Sequence, residues 1–134
     1  MSKERFTERQ ADVQRSVARL AEATAHPENE LVRDATIQRF EVAFEVVWKG
    51  LKLDLERQGH ECGGPRQTLK KAFAEGLIRS PDEADHWLQM LEERNLTSHT
   101  YDAALATQIY RHVVQDYAPL LVGMADKIQA LRWD

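Results

Sequence analysis

A chain of 134 residues is long enough to bury a core without disulfides or metals, and it fits one domain, 1–134, of ordinary size. Its net charge of −4 excludes a general polyanion-binding surface, so an RNA contact has to be local. The single cysteine, Cys62, excludes an internal disulfide, and neither a signal core nor an apolar run of roughly 20 residues occurs, so a cytoplasmic protein without a membrane span is expected.

Gly and Pro are scarce and helix formers are plentiful, while no stretch alternates with period two for long. Phe6, Val13, Val17, Leu20 and Ala23 recur at helical spacing, and His26-Pro27 closes this first helix. A second helix is expected from near Asn29 to Gly59, where QGHECGG is a stop signal. Its main stripe is Ile37, Phe40, Phe44, Val47, Leu51 and Leu55. A further stripe of Val42, Val46 and Leu53 predicts burial on more than one side. Glu41, Glu45, Lys49, Lys52 and Glu56 form its polar edge, with Glu45 and Lys49 in the favourable i,i+4 order.

After Gly63-Gly64, Pro65 opens a short helix through Leu69, Ala72 and Phe73 that Gly76 ends. Ser80-Pro81-Asp82-Glu83 reads as a capping box, from which a fourth helix carries Trp87, Leu88 and Leu91. Asp102 can cap a last long helix bearing Leu105, Ile109, Val113, Tyr117, Leu121, Met124, Ile128 and Leu131. Pro119 lies inside that pattern; it removes a backbone donor and crowds the carbonyl of Gln115, so a kink or split is expected there. The expected fold is all-α, an antiparallel up-and-down bundle of four to six helices.

Between the last two helices runs ERNLTSHTYD, residues 93–102, polar apart from Leu96. At about 100° per residue, Arg94, Ser98 and Tyr101 share a face and Asn95 pairs with His99, while Arg94 and His99 diverge by about 140°. Either the helix loosens near Thr97–Thr100, or a second copy completes the site across a two-fold axis. The residue types suit phosphate chemistry. An arginine fork grips phosphate oxygens, and a histidine takes a proton from a ribose 2′-hydroxyl while another returns one to the leaving 5′-oxygen, with no metal needed. The bland alternative is that the cluster hydrogen-bonds the carbonyls of its own helix end.

The stretch, together with IQRFEVAFEVVWKGLK (37–52), GPRQTLKKAFAEGLI (64–78) and WLQMLEERNLTSHTYD (87–102), resembles the nucleotidyltransferase substrate-binding protein family of the HEPN group. The likeness runs from about Arg33 to Tyr117. It implies a HEPN-like bundle that forms a homodimer through its motif-bearing helices and assembles with a minimal nucleotidyltransferase encoded nearby. In the related HepT-like toxins, which are metal-independent ribonucleases, the arginine and histidine of R-x4-H are catalytic, and the partner silences them by adding AMP to the tyrosine. Carried over, Arg94 stabilises the phosphate, His99 is the acid/base and Tyr101 accepts AMP. Asn95 and Ser98 line the site for a nucleotide or RNA, and no cofactor is implied.

Elsewhere the chemistry is thin. Glu41 and Glu45, with Lys49 and Lys52 beside them, read as a solvated or partner-facing stripe. His60-Glu61-Cys62 lacks the further ligands of a zinc site, and Gly63-Gly64-Pro65-Arg66 lacks the strand and lysine of a phosphate loop. His86 and His112 read as surface residues, Trp48 and Trp87 as core, and Trp133 as exposed or covering a partner.

Overall fold

The computed structural model describes residues 2–133, and helices are the regular elements among them. They are α1 (Lys3–Thr24), α2 (Glu30–Arg57), α3 (Pro65–Ala74), α4 (Pro81–Leu96), α5 (Ala103–His112) and α6 (Ala118–Ala130). A 3₁₀ turn, Thr97–His99, follows α4, and a π turn, Val113–Tyr117, joins α5 to α6. Together they form an antiparallel up-and-down bundle in which α2 packs against α1, α3, α5 and α6.

Helix starts fall where capping residues stand. Asn29 accepts from Val32 N at 2.8 Å, Ser80 from Glu83 N at 3.1 Å, and Asp102 from Ala104 N and Leu105 N at 3.0 and 3.2 Å. Glu83 does not close the expected box on Ser80; it accepts from Arg79 N at 3.4 Å and from Trp87 Nε1 at 3.1 Å. At the far end of α2, Gly59 takes φ of 98°, a left-handed turn that a side chain would resist. Gly50 serves closeness instead, since a Cβ there would stand 3.2 Å from Val13 and 3.5 Å from Ile128, where α1 and α6 cross α2.

The expected main stripes meet in one core. Leu20, Phe40, Phe44, Leu51, Leu55, Trp87, Ile109, Tyr117 and Leu121 are fully buried. Each contributes about 1.5–3 kcal/mol from apolar burial. Phe40 stacks on Tyr117 with ring centres 5.6 Å apart, tying α2 to the π turn. That turn is how the chain accommodates Pro119: the helix widens just ahead of the residue that lacks an N–H, and then continues.

Three expectations are corrected. The second stripe of α2 is not a core face: Val42 is 51% exposed and Val46 and Leu53 are only half-buried, because α1 covers just one flank of α2. Phe73 is 39% exposed, since the short α3 buries Leu69 and Ala72 and turns its next position outward. Trp133 lies against Phe6, ring centres 5.7 Å apart, and the Arg57 guanidinium covers both rings. The same Arg57 meets the fully buried Asp54 at 2.7 Å.

Candidate functional site

Helix α4 ends at Leu96, and the chain tightens into the 3₁₀ turn through His99. The helix therefore loosens within the stretch, as one of the two alternatives expected, but the turn pairs His99 with Tyr101 and not with Arg94. Threonines do the loosening. Thr97 donates its hydroxyl to the Arg94 carbonyl at 2.7 Å, and Thr100 donates to the Thr97 carbonyl at 3.1 Å. The freed carbonyls of the helix end are thus met by residues outside the motif. Asn95, Ser98, His99 and Tyr101 are all exposed, Tyr101 by 85%.

The turn brings two motif residues together. The Tyr101 hydroxyl lies 3.4 Å from His99 Nδ1, and the rings meet edge to face at 5.9 Å. Arg94 goes elsewhere. Its Nη2 faces Glu45 Oε2 on α2 at 3.6 Å, while Glu45 Oε1 meets Lys49 Nζ at 3.5 Å. Glu45 is therefore more than one member of a solvated stripe: it is the carboxylate facing the motif arginine. At 3.6 Å this contact is too long for a hydrogen bond, and Arg94 Nε is buried with no hydrogen-bond partner. The partly exposed terminal nitrogens of Arg94 make no hydrogen bond among the described residues, so they, and not the buried Nε, are open to an incoming anion. Among the described residues, no hydrogen bond or ion pair joins Arg94 to His99.

Next to Arg94 sits a cluster that the reading of the sequence missed. Glu93 is 5% exposed and accepts a hydrogen bond from the Tyr117 hydroxyl. His112 Nδ1 stands 2.7 and 2.9 Å from its two oxygens. His112 is thus a half-buried partner of α4, not a plain surface residue. The signal was present in the sequence: Met90, Glu93 and Thr97 form one inward stripe at spacings of three and four, with a carboxylate in the middle. His86, also half-buried, has Nδ1 2.8 Å from the Asp82 carbonyl.

Burial, then the hydrogen bond to Glu93, pushes the Tyr117 phenol far above its ordinary value of 10.0. The folded chain therefore keeps a proton that the unfolded chain loses above about pH 10, so stability falls as pH rises beyond that point. We expect wild-type stability to fall above pH 10 by about 1.4 kcal/mol per pH unit more than that of Tyr117→Phe, checked by urea unfolding at pH 9–11.5. Parallel slopes for the two proteins would contradict it.

The remaining candidates are structural. Cys62 is buried, and burial raises its thiol pKa. His60 Nε2 meets Glu75 at 2.9 Å, and the Gly64 N–H is taken by Gln67 Oε1 at 3.2 Å. Among the described residues, no group of three or more His, Cys, Asp or Glu could hold a metal ion, and no helix is long and apolar enough to cross a membrane.

An all-α up-and-down bundle carrying R-x4-H-x-Y across the end of its fourth helix is a domain of the HEPN type. The chain belongs to the family described as nucleotidyltransferase substrate binding protein like, whose model matches residues 8–130. It is similar to the probable ribonuclease HepT of Haemophilus influenzae, with 32% identity over 82 residues, 58% of this chain and 54% of that protein. The chain thus spans about half the length of that relative. It is also similar to a crystal structure of a Thermus thermophilus protein, with a TM-score of 0.81 and 36% identity, covering 87% of this chain and 98% of that one.

Proposed function

We propose that this protein is a homodimeric HEPN subunit that partners a minimal nucleotidyltransferase and binds a nucleotide-bearing substrate. The cleft would carry Arg94, Asn95, Ser98, His99 and Tyr101. One observation supports this reading: threonines satisfy the helix end, which leaves Asn95, Ser98, His99 and Tyr101 facing solvent near the partly exposed Arg94, whose terminal nitrogens make no hydrogen bond among the described residues. A second copy facing the same edge of α4 would bring each Arg94 toward the other's His99, a pairing that one chain does not make. Family membership supports a nucleotidyltransferase as the partner.

A second reading is favoured by the likeness to HepT and by the exposed His99 imidazole. It makes the protein a metal-independent ribonuclease. One His99 takes the proton of a ribose 2′-hydroxyl, whose oxygen attacks phosphorus. The bond to the 5′-oxygen breaks, and that oxygen leaves with a proton from the other copy's protonated His99. Arg94 holds the charge that builds on the phosphate oxygens.

In both readings Tyr101, 85% exposed, is the group the partner modifies. Incubation with the nucleotidyltransferase and ATP should add AMP to Tyr101: the phenol oxygen, losing its proton, bonds to the α-phosphorus as the α–β phosphoanhydride breaks and pyrophosphate leaves. The Tyr101→Phe variant should stay unmodified, with unchanged melting temperature and sedimentation. Mass spectrometry that places AMP on another residue would overturn this role. Growth arrest on expression without the partner is expected under the ribonuclease reading alone.

A further inference from the structure

We propose that the groove between α1 and α2 is a second nucleoside-phosphate site, an inference that rests on the reading of Arg94 as a phosphate-binding residue. The groove has a cavity of about 310 Å³, at the small end of ligand sites and of a size suited to one nucleotide. Its lining includes Arg15, Arg19 and Arg39 from the two helices together with Val42 and Val46, and one carboxylate, Asp12, against the three guanidinium groups. In a chain of net charge −4 this is a local concentration of guanidinium groups, which suits a phosphate.

The three arginines are not equally engaged. Arg39 is fixed across the groove, donating from Nη1 to the Arg19 carbonyl at 2.8 Å and facing Glu22 at 3.8 Å. Arg15 is paired with the exposed Asp12 at 2.6 Å, a contact that solvent screens. The Arg19 side chain has no hydrogen bond or ion pair among the described residues. Val42, 51% exposed, offers an apolar floor on which a base or ribose face can rest, and arginine planes also stack on bases.

Position on α2 links the groove to the motif. Val42 and Val46 flank Glu45, the residue that faces Arg94, and on a helix the Val42 and Glu45 rows stand only about 60° apart. A strand laid across this part of α2 would place one phosphate at Arg94 and another at Arg15 and Arg19. A free nucleotide would occupy the groove alone.

The test uses the full chain and two probes, a fluorescent ATP analogue and a 5′-phosphorylated, fluorescein-labelled oligouridylate. Binding is followed by anisotropy from 50 to 300 mM salt. The Arg15→Glu/Arg19→Glu double variant should bind the strand at least tenfold more weakly, with a salt slope about 0.7 smaller for the one lost phosphate contact. Val42→Trp, which fills the groove without changing charge, should weaken binding similarly. Both substitutions lie on the surface, and equal melting temperatures confirm intact folding. Nucleotide binding that survives Arg94→Ala but not the double variant supports a site separate from the motif. Strand binding by wild type without any nucleotide binding would overturn the groove as a nucleotide site. Strand binding that is lost in Arg94→Ala and unchanged in the double variant would overturn the groove while leaving the motif reading intact. Unchanged affinity in both groove variants, no binding of either probe by wild type, or a change in oligomeric state caused by the groove variants would also overturn it.

Discussion

Replacing His99 with alanine is expected to lower cleavage of a structured RNA in EDTA by about 10²–10⁴-fold, the usual contribution of a positioned acid/base. The melting temperature should not move, because His99 is exposed and its one described side-chain partner is the Tyr101 hydroxyl at 3.4 Å. Arg94→Lys is the informative companion. It keeps the charge facing Glu45 but loses the planar fork, so cleavage should fall while the fold holds. Wild type and His99→Ala that are equally inactive on RNA would remove the ribonuclease reading and leave the binding subunit. Cleavage by His99→Ala at the wild-type rate would remove His99 from the chemistry altogether.

Glu93→Ala is expected to have the largest effect on stability, a loss of about 1–3 kcal/mol measured by urea unfolding near neutral pH. The carboxylate is 5% exposed and satisfies both the Tyr117 hydroxyl and His112 Nδ1. Removing it leaves a buried phenol without an acceptor and opens a cavity between α4 and the π turn. Glu93→Gln keeps an acceptor and most of the volume, so it should cost distinctly less. A double-mutant cycle with Tyr117→Phe should show coupling of about 0.5–3 kcal/mol, since the two side chains share one hydrogen bond. A Glu93→Ala loss below about 0.5 kcal/mol would mean that the cluster contributes nothing to holding α4 in place. Because Arg94 is the next residue, this clamp also fixes where the motif begins, and a slackened α4 should blunt motif function without changing a motif residue.

Much of the site was readable because local chemistry dictates it. Asn29, Ser80 and Asp102 mark helix starts through their own side chains, and Gly59 marks an end through its left-handed backbone. The angle between Arg94 and His99 followed from helix geometry alone and required a break or a second copy. The break occurs at Thr97, whose hydroxyl competes for a backbone carbonyl. By contrast, Glu45, Glu93 and His112 looked like ordinary polar residues in sequence. Nothing within a few residues of Glu45 indicates that Arg94, far along the chain, will face it across two helices.

Sequence by itself determined the helices, their order and the polar stretch at the end of the fourth, since these depend on neighbours within about two turns and on the period of apolar residues. Only the tertiary structure decided which polar residues became partners and which apolar ones stayed uncovered. Glu93 acquired a tyrosine and a histidine because the end of α5 sets His112, and the π turn Tyr117, against α4. Val42 stayed exposed because α1 crosses α2 on one flank only. Both outcomes depend on how helices pack at a distance, and periodicity along one helix carries no record of which neighbour will lie against which face.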